Sequence, residues 1–385
     1  MKSEWQACTI GELCDSVSVT YRGKDERVVL INTSDVLNGK VLNHSDEPNQ
    51  NLKGQFKKTF KKNDILYSEI RPANRRFAYI DFDETEKYIA STKLMVIRYR
   101  ENVVEPKFLY FLLTSNDVIG ELQRLAETRS GTFPQITFPT EVATLPVNIP
   151  SLSIQRKIVS ILSALDDKIE TNNAISRNLE ELLLAVYRNV KYAHECVVKE
   201  LNTLAEFSKN KKQISELNCQ TFFSTENMLP GKAGAVAAAS LPTMPKVTAC
   251  NPGDILVSNI RPYFKKIVYC STNCGCSSDV LCFHPKEDIY STWLFCSLYE
   301  DDFFDYVAAG SKGTKMPRGD KAHIMRYGID VPPRKKLEEF KSMGNLVLTQ
   351  INNLRSENKH LSQLRDSILP KLMNGELDVD NVKLK

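Results

Sequence analysis

The sequence lacks every common signature of a catalytic centre. No GxxxxGK[ST] loop is present, which excludes the usual ATP-driven motor. No Asn/Asp-Pro-Pro-Tyr/Phe tetrapeptide and no glycine-rich strand–turn–helix occur, so no methyl-donor site is read; Pro332-Pro333 precedes a helical pattern with no aromatic after it. The histidines (His44, His194, His284, His323 and His360) are isolated, with neither HExxH spacing nor a nucleophile partner. Paired acids such as Asp81/Asp83 and Asp301/Asp302 read as solvated loop or helix-end charge. No apolar run approaches the roughly 18 residues a membrane helix needs. Residues Met1 to Gln6 lack the apolar core of a signal peptide, so a cytoplasmic protein is expected.

Net charge is also scarce, at +4. Its distribution is more informative. Eight basic residues fall between Lys53 and Arg76 against Asp64 and Glu69, and seven between Lys312 and Lys335 against Asp320 and Asp330. Such clusters on a balanced chain suit a phosphate-facing surface, or equally a solvated loop. Among ten cysteines, Cys270, Cys274, Cys276 and Cys282 lie close in sequence but do not form two CxxC knuckles. They read as small hydrophobes in a reducing compartment, with no metal expected.

What is abundant is internal repetition. Leu30–Lys40 aligns with Phe222–Lys232, and Asp64-Ile65-Leu66-Tyr67-Ser68-Glu69-Ile70-Arg71-Pro72 with Asp254-Ile255-Leu256-Val257-Ser258-Asn259-Ile260-Arg261-Pro262. Arg75-Arg76-Phe77-Ala78-Tyr79 matches Lys265-Lys266-Ile267-Val268-Tyr269, and Ser130–Pro134 resembles Lys312–Pro317. Four matches in one order imply two copies of one domain. Each copy reads as α+β: strands at Val28–Ile31, Ile65–Tyr67, Ala78–Ile80 and Leu94–Ile97, then a helix over Phe108–Leu125 with its counterpart near Trp293–Val307. Asn63-Asp64 and Gly253-Asp254 are turn signals.

Each copy is followed by a long helical pattern. From Ser151 to about Tyr192 there is neither proline nor glycine. Apolar residues recur there as Ile154, Ile158, Ile161, Leu165, Ile175, Leu179, Leu182 and Val186, with Lys168 and Asn172 as polar seam positions. The second pattern runs from Arg334 to Leu369, with its seam at Leu337, Phe340, Gly344, Val347, Ile351, Leu354, Asn358, Leu361, Arg365 and Ile368, and Pro370 is expected to end it. This heptad spacing predicts two helices of roughly 60 Å packed as an antiparallel coiled coil. The expected division is 1–150 and 193–332 for the domains, with the central helix at 151–192 and the distal helix and C-terminal tail at 333–385.

The order of domain, helix, domain, helix resembles the specificity subunits of type I restriction–modification systems. The resemblance rests on Ile149-Pro150-Ser151-Leu152-Ser153-Ile154-Gln155-Arg156-Lys157-Ile158, on Leu165-Asp166-Asp167-Lys168-Ile169, and on the tail Leu364–Leu377. Gly253–Leu256, Arg261-Pro262 and Ser130-Gly131-Thr132 resemble motifs of the target-recognition domains. The second copy departs from the pattern at Pro332–Phe340, which lacks a counterpart of Gln155.

The resemblance implies a non-catalytic, DNA-binding chain that reads a bipartite double-stranded target, one half-site per domain. It implies two methyltransferase subunits and restriction subunits as partners. These would carry S-adenosylmethionine, ATP and Mg; no cofactor is expected on this chain. Candidate DNA-binding residues are Arg71, Arg75, Arg76, Arg129, Thr132 and Gln135 in the first domain. In the second they are Arg261, Lys265, Lys266, Lys312, Lys315 and Arg318. For Arg71 and Arg261 the competing reading is a loop brace. Two other classes stay open: a stand-alone DNA-binding or scaffolding protein that self-associates through the coiled coil, and an enzyme with an unfamiliar site.

Overall fold

A computed structural model of the chain describes residues 5–50, 54–128, 134–313 and 315–379. It divides into two units, Met1–Ile169 with Lys359–Lys385, and Glu170–Asn358. Each contains strands and helices, as the α+β reading requires.

In the first unit an antiparallel sheet runs in the order Cys14–Val17, Leu94–Tyr99, Ile65–Ser68, Phe77–Tyr79. A second sheet runs Glu47–Pro48, Arg27–Ile31, Tyr88–Ser91, Phe56–Lys58, with its middle pair parallel. Successive strand residues point to opposite faces. Ile65, Tyr67, Met95 and Ile97 therefore pack with the helices Pro106–Leu113 and Asn116–Thr128. Leu66, Leu94 and Val96 pack against Val29, Ile31 and Ala90 of the second sheet. Strand Ile65–Ser68 is buried on both faces, which explains its unbroken apolar run.

The second unit repeats this plan. Ala205–Phe207, Val280–Pro285, Ile255–Ser258 and Ile267–Tyr269 form the antiparallel sheet. Phe222–Phe223 and Cys274–Cys276 form the parallel pair of the other sheet. Cys250, Cys270, Cys274, Cys276 and Cys282 converge with Leu256 and Val280 in one small core. Among the described residues no group of three or more His, Cys, Asp or Glu is placed to hold a metal ion.

The helix expected over Phe108–Leu125 is two helices. Thr114 Oγ1 donates to the Tyr110 carbonyl (2.7 Å) and Ser115 Oγ to that of Leu112 (2.9 Å), which closes the first helix. Ser115 Oγ also accepts from the Val118 amide and opens the second. Its counterpart is likewise split, into Ser291–Tyr299 and Asp301–Ala309, around the extended residue Glu300.

The central helix spans Leu152–Ala193 and the distal helix Arg334–Met373. The distal helix continues through Pro370 for three further residues, and the amide of Asn374 closes it on the Pro370 carbonyl. Pro370 has no N–H to give the Asp366 carbonyl, so the helix forgoes that one bond and still runs on for its last turn. In the second unit the two helices run antiparallel: Asn172 meets Asn358, Glu180 meets Arg355, and Tyr187 meets Phe340. In the first unit Asp166 meets Arg365 (2.8 Å), and Ile158 and Leu162 share a core with Leu372.

The central seam follows the expected phase through Ile158, Ile161, Leu165 and Asn172 and departs from it beyond that point. Ser176 and Leu183 are buried, whereas Ile175 and Leu182 are exposed. One alternating set, Ile158, Leu165, Asn172 and Leu179, is common to both readings. Beyond Asn172 the other set lies one residue later, and Tyr187 packs onto Trp293 with ring centroids 4.5 Å apart. Asn172 donates to Glu357 Oε2 and Asn358 Oδ1, both at 2.9 Å, forming the polar layer of the pair.

Candidate nucleic-acid interface

The repeated Arg-Pro sequence builds the same turn in both units. Arg71 and Arg75 flank the single 3-10 turn Pro72–Asn74 with φ of 46° and 51°. Arg261 and Lys265 flank Pro262–Phe264, both with φ of 50°. Left-handed backbone costs an ordinary side chain roughly 1–2 kcal/mol. It persists here because the surroundings fix it. The Arg71 amide donates to the Pro134 carbonyl (3.0 Å) and that of Arg261 to Pro317 (2.8 Å). Within each turn, Arg75 donates to Pro72 (2.9 Å) and Lys265 to Pro262 (2.8 Å). Asn38 and Lys232, themselves left-handed, donate to the carbonyls of Arg75 and Lys265.

The turn also gathers the distant candidates. Ile70 bridges to Gln135, and Ile260 to Arg318, so residues remote in sequence adjoin the Arg-Pro turn in each unit. Lys312 pairs with Arg318 through two backbone hydrogen bonds of 2.9 and 3.0 Å. Arg129 and Thr132 lie outside the described residues.

Several candidate side chains are already tethered. Arg75 donates to Asn116 Oδ1, and Lys265 bonds Asp301 at 2.8 Å, each at the start of the second helix of its pair. Lys232 and Lys265 together hold the Asp301 carboxyl down at about 2. Arg76 donates to the Ser34 carbonyl (3.0 Å), and Lys266 to that of Thr225 (2.6 Å). Burial pushes the Lys266 ammonium below the usual lysine range. These four act as loop braces in the unbound chain. Arg318 reaches Asp279 (3.2 Å) and Lys312 reaches Asp320 (2.7 Å), both in exposed pairs that solvent screens. Lys315 is exposed and has no hydrogen-bond or ion-pair partner among the described residues. Arg71 is exposed.

In the first unit, Arg75 lines a cleft of about 500 Å³ together with Asn38, Tyr110, Asn116, Asp166 and Arg365. Gln155 faces inward: its Nε2 donates to the Pro150 carbonyl and its Oε1 accepts from the Glu105 amide. It pins the start of the central helix. In the second copy the same place holds Leu337, buried in an apolar core, so no equivalent amide is needed.

Residues 2–181 match the family model described as "Type I restriction modification DNA specificity domain". The first copy and most of the central helix are thus similar to the DNA specificity domain of type I restriction–modification systems. Over 188 residues it is 44% identical to the Haemophilus influenzae type I restriction enzyme HindI specificity subunit, covering 49% of this chain and 40% of that relative. This chain therefore spans well under two thirds of that relative's length. The Escherichia coli EcoDI specificity subunit is 22% identical over 334 residues, 72% of each chain. The crystal structure of the type I S subunit from M. genitalium shares the fold, with a TM-score of 0.56 over 96% of each chain at 15% identity.

Within this specificity-subunit fold, several features were not legible in the sequence. Asn116 and Asp301 carry no motif that marks them as tethers. The buried carboxylates Asp64 and Asp254 were visible only as turn residues. The exposed aromatic pair Tyr263-Phe264, at the tip of the second turn, replaces Ala73-Asn74 of the first.

Proposed function

We propose that this chain is the DNA-reading subunit of a type I restriction–modification complex, with each unit recognising one half of a bipartite double-stranded target. The carrying observation is that two left-handed Arg-Pro turns of one geometry are each adjoined, through a single backbone bridge, by a residue with an amide or basic side chain, Gln135 or Arg318. A duplicated presenting surface suits two short base sequences read by related loops. Base edges are read by Arg, Lys, Asn and Gln, while backbone amides and lysines hold phosphates.

The chain itself carries no catalysis in this reading. Methyltransferase subunits supply S-adenosylmethionine chemistry, and restriction subunits supply ATP- and Mg-dependent cleavage. The complex works in the cytoplasm; among the described residues no helix is long and apolar enough to cross a membrane.

Two measurements test this. Affinity purification from the host should recover a DNA methyltransferase with the chain. Calorimetry on the pure chain should show no S-adenosylmethionine binding; a clear binding isotherm would contradict the non-catalytic assignment.

A further inference from the structure

The two Arg-Pro turns share a backbone and differ in what they display. The first presents Ala73 and Asn74; the second presents Tyr263 and Phe264, which are 53% and 39% exposed. The two rings meet edge-to-face at 4.9 Å. Left-handed Arg261 and Lys265 on either side, and the Phe264 amide bonded to the Arg261 carbonyl (2.9 Å), fix the tip.

Phe264 is also supported from its cationic side. The Arg261 guanidinium carbon lies 6.0 Å from its ring centroid, and Lys266 Nζ lies 5.8 Å away. Arg261 Nε is buried with no hydrogen-bond partner in the described structure. The guanidinium lies over the Phe264 ring. Pro317, whose carbonyl accepts from Arg261, follows another exposed apolar residue, Met316.

Isolated exposed hydrophobics are ordinary, but adjacent rings held rigidly within a basic rim mark an interaction surface. The rim of Lys312, Lys315 and Arg318 matches a polyanion rather than an apolar protein partner. Within a duplex, the apolar group exposed at a base edge is the 5-methyl of thymine in the major groove.

We infer that Tyr263 and Phe264 are specificity-determining residues of the second unit, contacting thymine 5-methyl groups in its half-site. This rests on the reading of the second unit as a base-reading domain. The first unit has no such aromatic tip, and Asn74 stands there with hydrogen-bonding capacity instead. The two half-sites are therefore discriminated by different chemistry.

The test uses the full chain in its native complex and duplexes carrying its mapped target. Replacing each thymine of the second half-site by uracil removes only the methyl group. The wild-type complex should lose about fourfold in affinity at one position or more, the value of one buried methyl-sized group. A Tyr263→Ala/Phe264→Ala complex should bind the thymine duplex more weakly and no longer distinguish it from uracil. Tyr263→Ala alone, and Phe264→Leu, should fall between, with melting temperature and sensitivity to first half-site changes preserved.

The inference is overturned if the second half-site contains no thymine, if wild type tolerates uracil throughout, or if the double variant still distinguishes the duplexes. Changing T·A to C·G pairs in that half-site separates the two levels. A wild-type complex that rejects those changes but accepts uracil still reads bases without the methyl contact. One that accepts both does not read that half-site at all.

Discussion

Arg98 clasps the fully buried carboxylate of Asp64 with both arms of its guanidinium, Nε to Oδ1 at 2.8 Å and Nη2 to Oδ2 at 2.7 Å. The same carboxylate accepts the Lys61 amide at 2.8 Å and so locks the turn before the central strand. In the second unit, Asp254 is equally buried, caps the Asn251 amide at 2.8 Å, and meets His284 at 2.7 Å where the first unit has Arg98.

Removing the arginine strands a buried charge, a loss of about 3 kcal/mol. Arg98→Leu should lower the urea midpoint of the protein by a corresponding amount. The Asp64→Leu/Arg98→Leu double variant should recover part of that loss, since no unpaired charge remains. A double variant less stable than the single would show that Asp64 contributes chiefly through its cap.

Gly344 lies inside the distal helix, where glycine ordinarily costs about 1 kcal/mol relative to alanine. A Cβ there would stand 2.4 Å from Thr292 Cγ2, on a fully buried residue whose hydroxyl bonds Asn345 Oδ1. Gly344→Ala should therefore destabilise by about 1–3 kcal/mol, the range for overpacking, instead of stabilising. Adding Thr292→Ser removes the obstructing methyl, keeps the hydroxyl, and should restore most of the loss in thermal melting.

The duplication and the two long helices were legible because their signals are periodic or repeated. Gly344 sits on the expected seam, and Asn172 forms the expected polar layer. The phase of the central seam beyond Asn172 was not legible. Ile175 and Leu182 satisfy the same four-and-three spacing as Ser176 and Leu183, so spacing alone does not separate the two pairs. The helix breaks at Thr114-Ser115 and Glu300 were hidden because apolar residues continue across them. Among candidate site residues, Arg-Pro was visible as a motif, but the tethers that occupy Arg75, Arg76, Lys265 and Lys266 are tertiary. A charge count cannot tell a brace from an unpaired cation.

That distinction gives a prediction for DNA affinity. Lys315 is exposed without a hydrogen-bond or ion-pair partner among the described residues, whereas Lys266 is held by the Thr225 carbonyl. Lys315→Ala should weaken binding to target and non-target duplexes alike. It should also reduce the salt dependence, log affinity against log salt, by about one unit of slope. Lys266→Ala should instead lower stability and leave that slope unchanged. Fluorescence anisotropy across a salt series separates the two.

Both long helices are continuous where one unit gives way to the other, at Ile169–Glu170 and Asn358–Lys359. If they set the number of unread bases between half-sites, matched four-residue insertions beside Asn172 and Asn358 should lengthen that gap. Four helical residues rise about 6 Å, close to two base-pair steps of about 3.4 Å. Both half-sites should persist in the mapped methylation pattern while the gap grows by one or two base pairs. An unchanged gap in an active complex would assign the spacing to the partner subunits.

Each unit is proposed to read its own half of a bipartite target, and domain exchange with methylation mapping separates the two halves. Residues 1–150 are replaced by the corresponding domain of another specificity subunit, and modified positions in host DNA are sequenced with and without the chimaera. The account predicts that one half-site changes to that of the donor while the other keeps its sequence. Simultaneous change of both half-sites, or of neither in a complex that still methylates DNA, would contradict it.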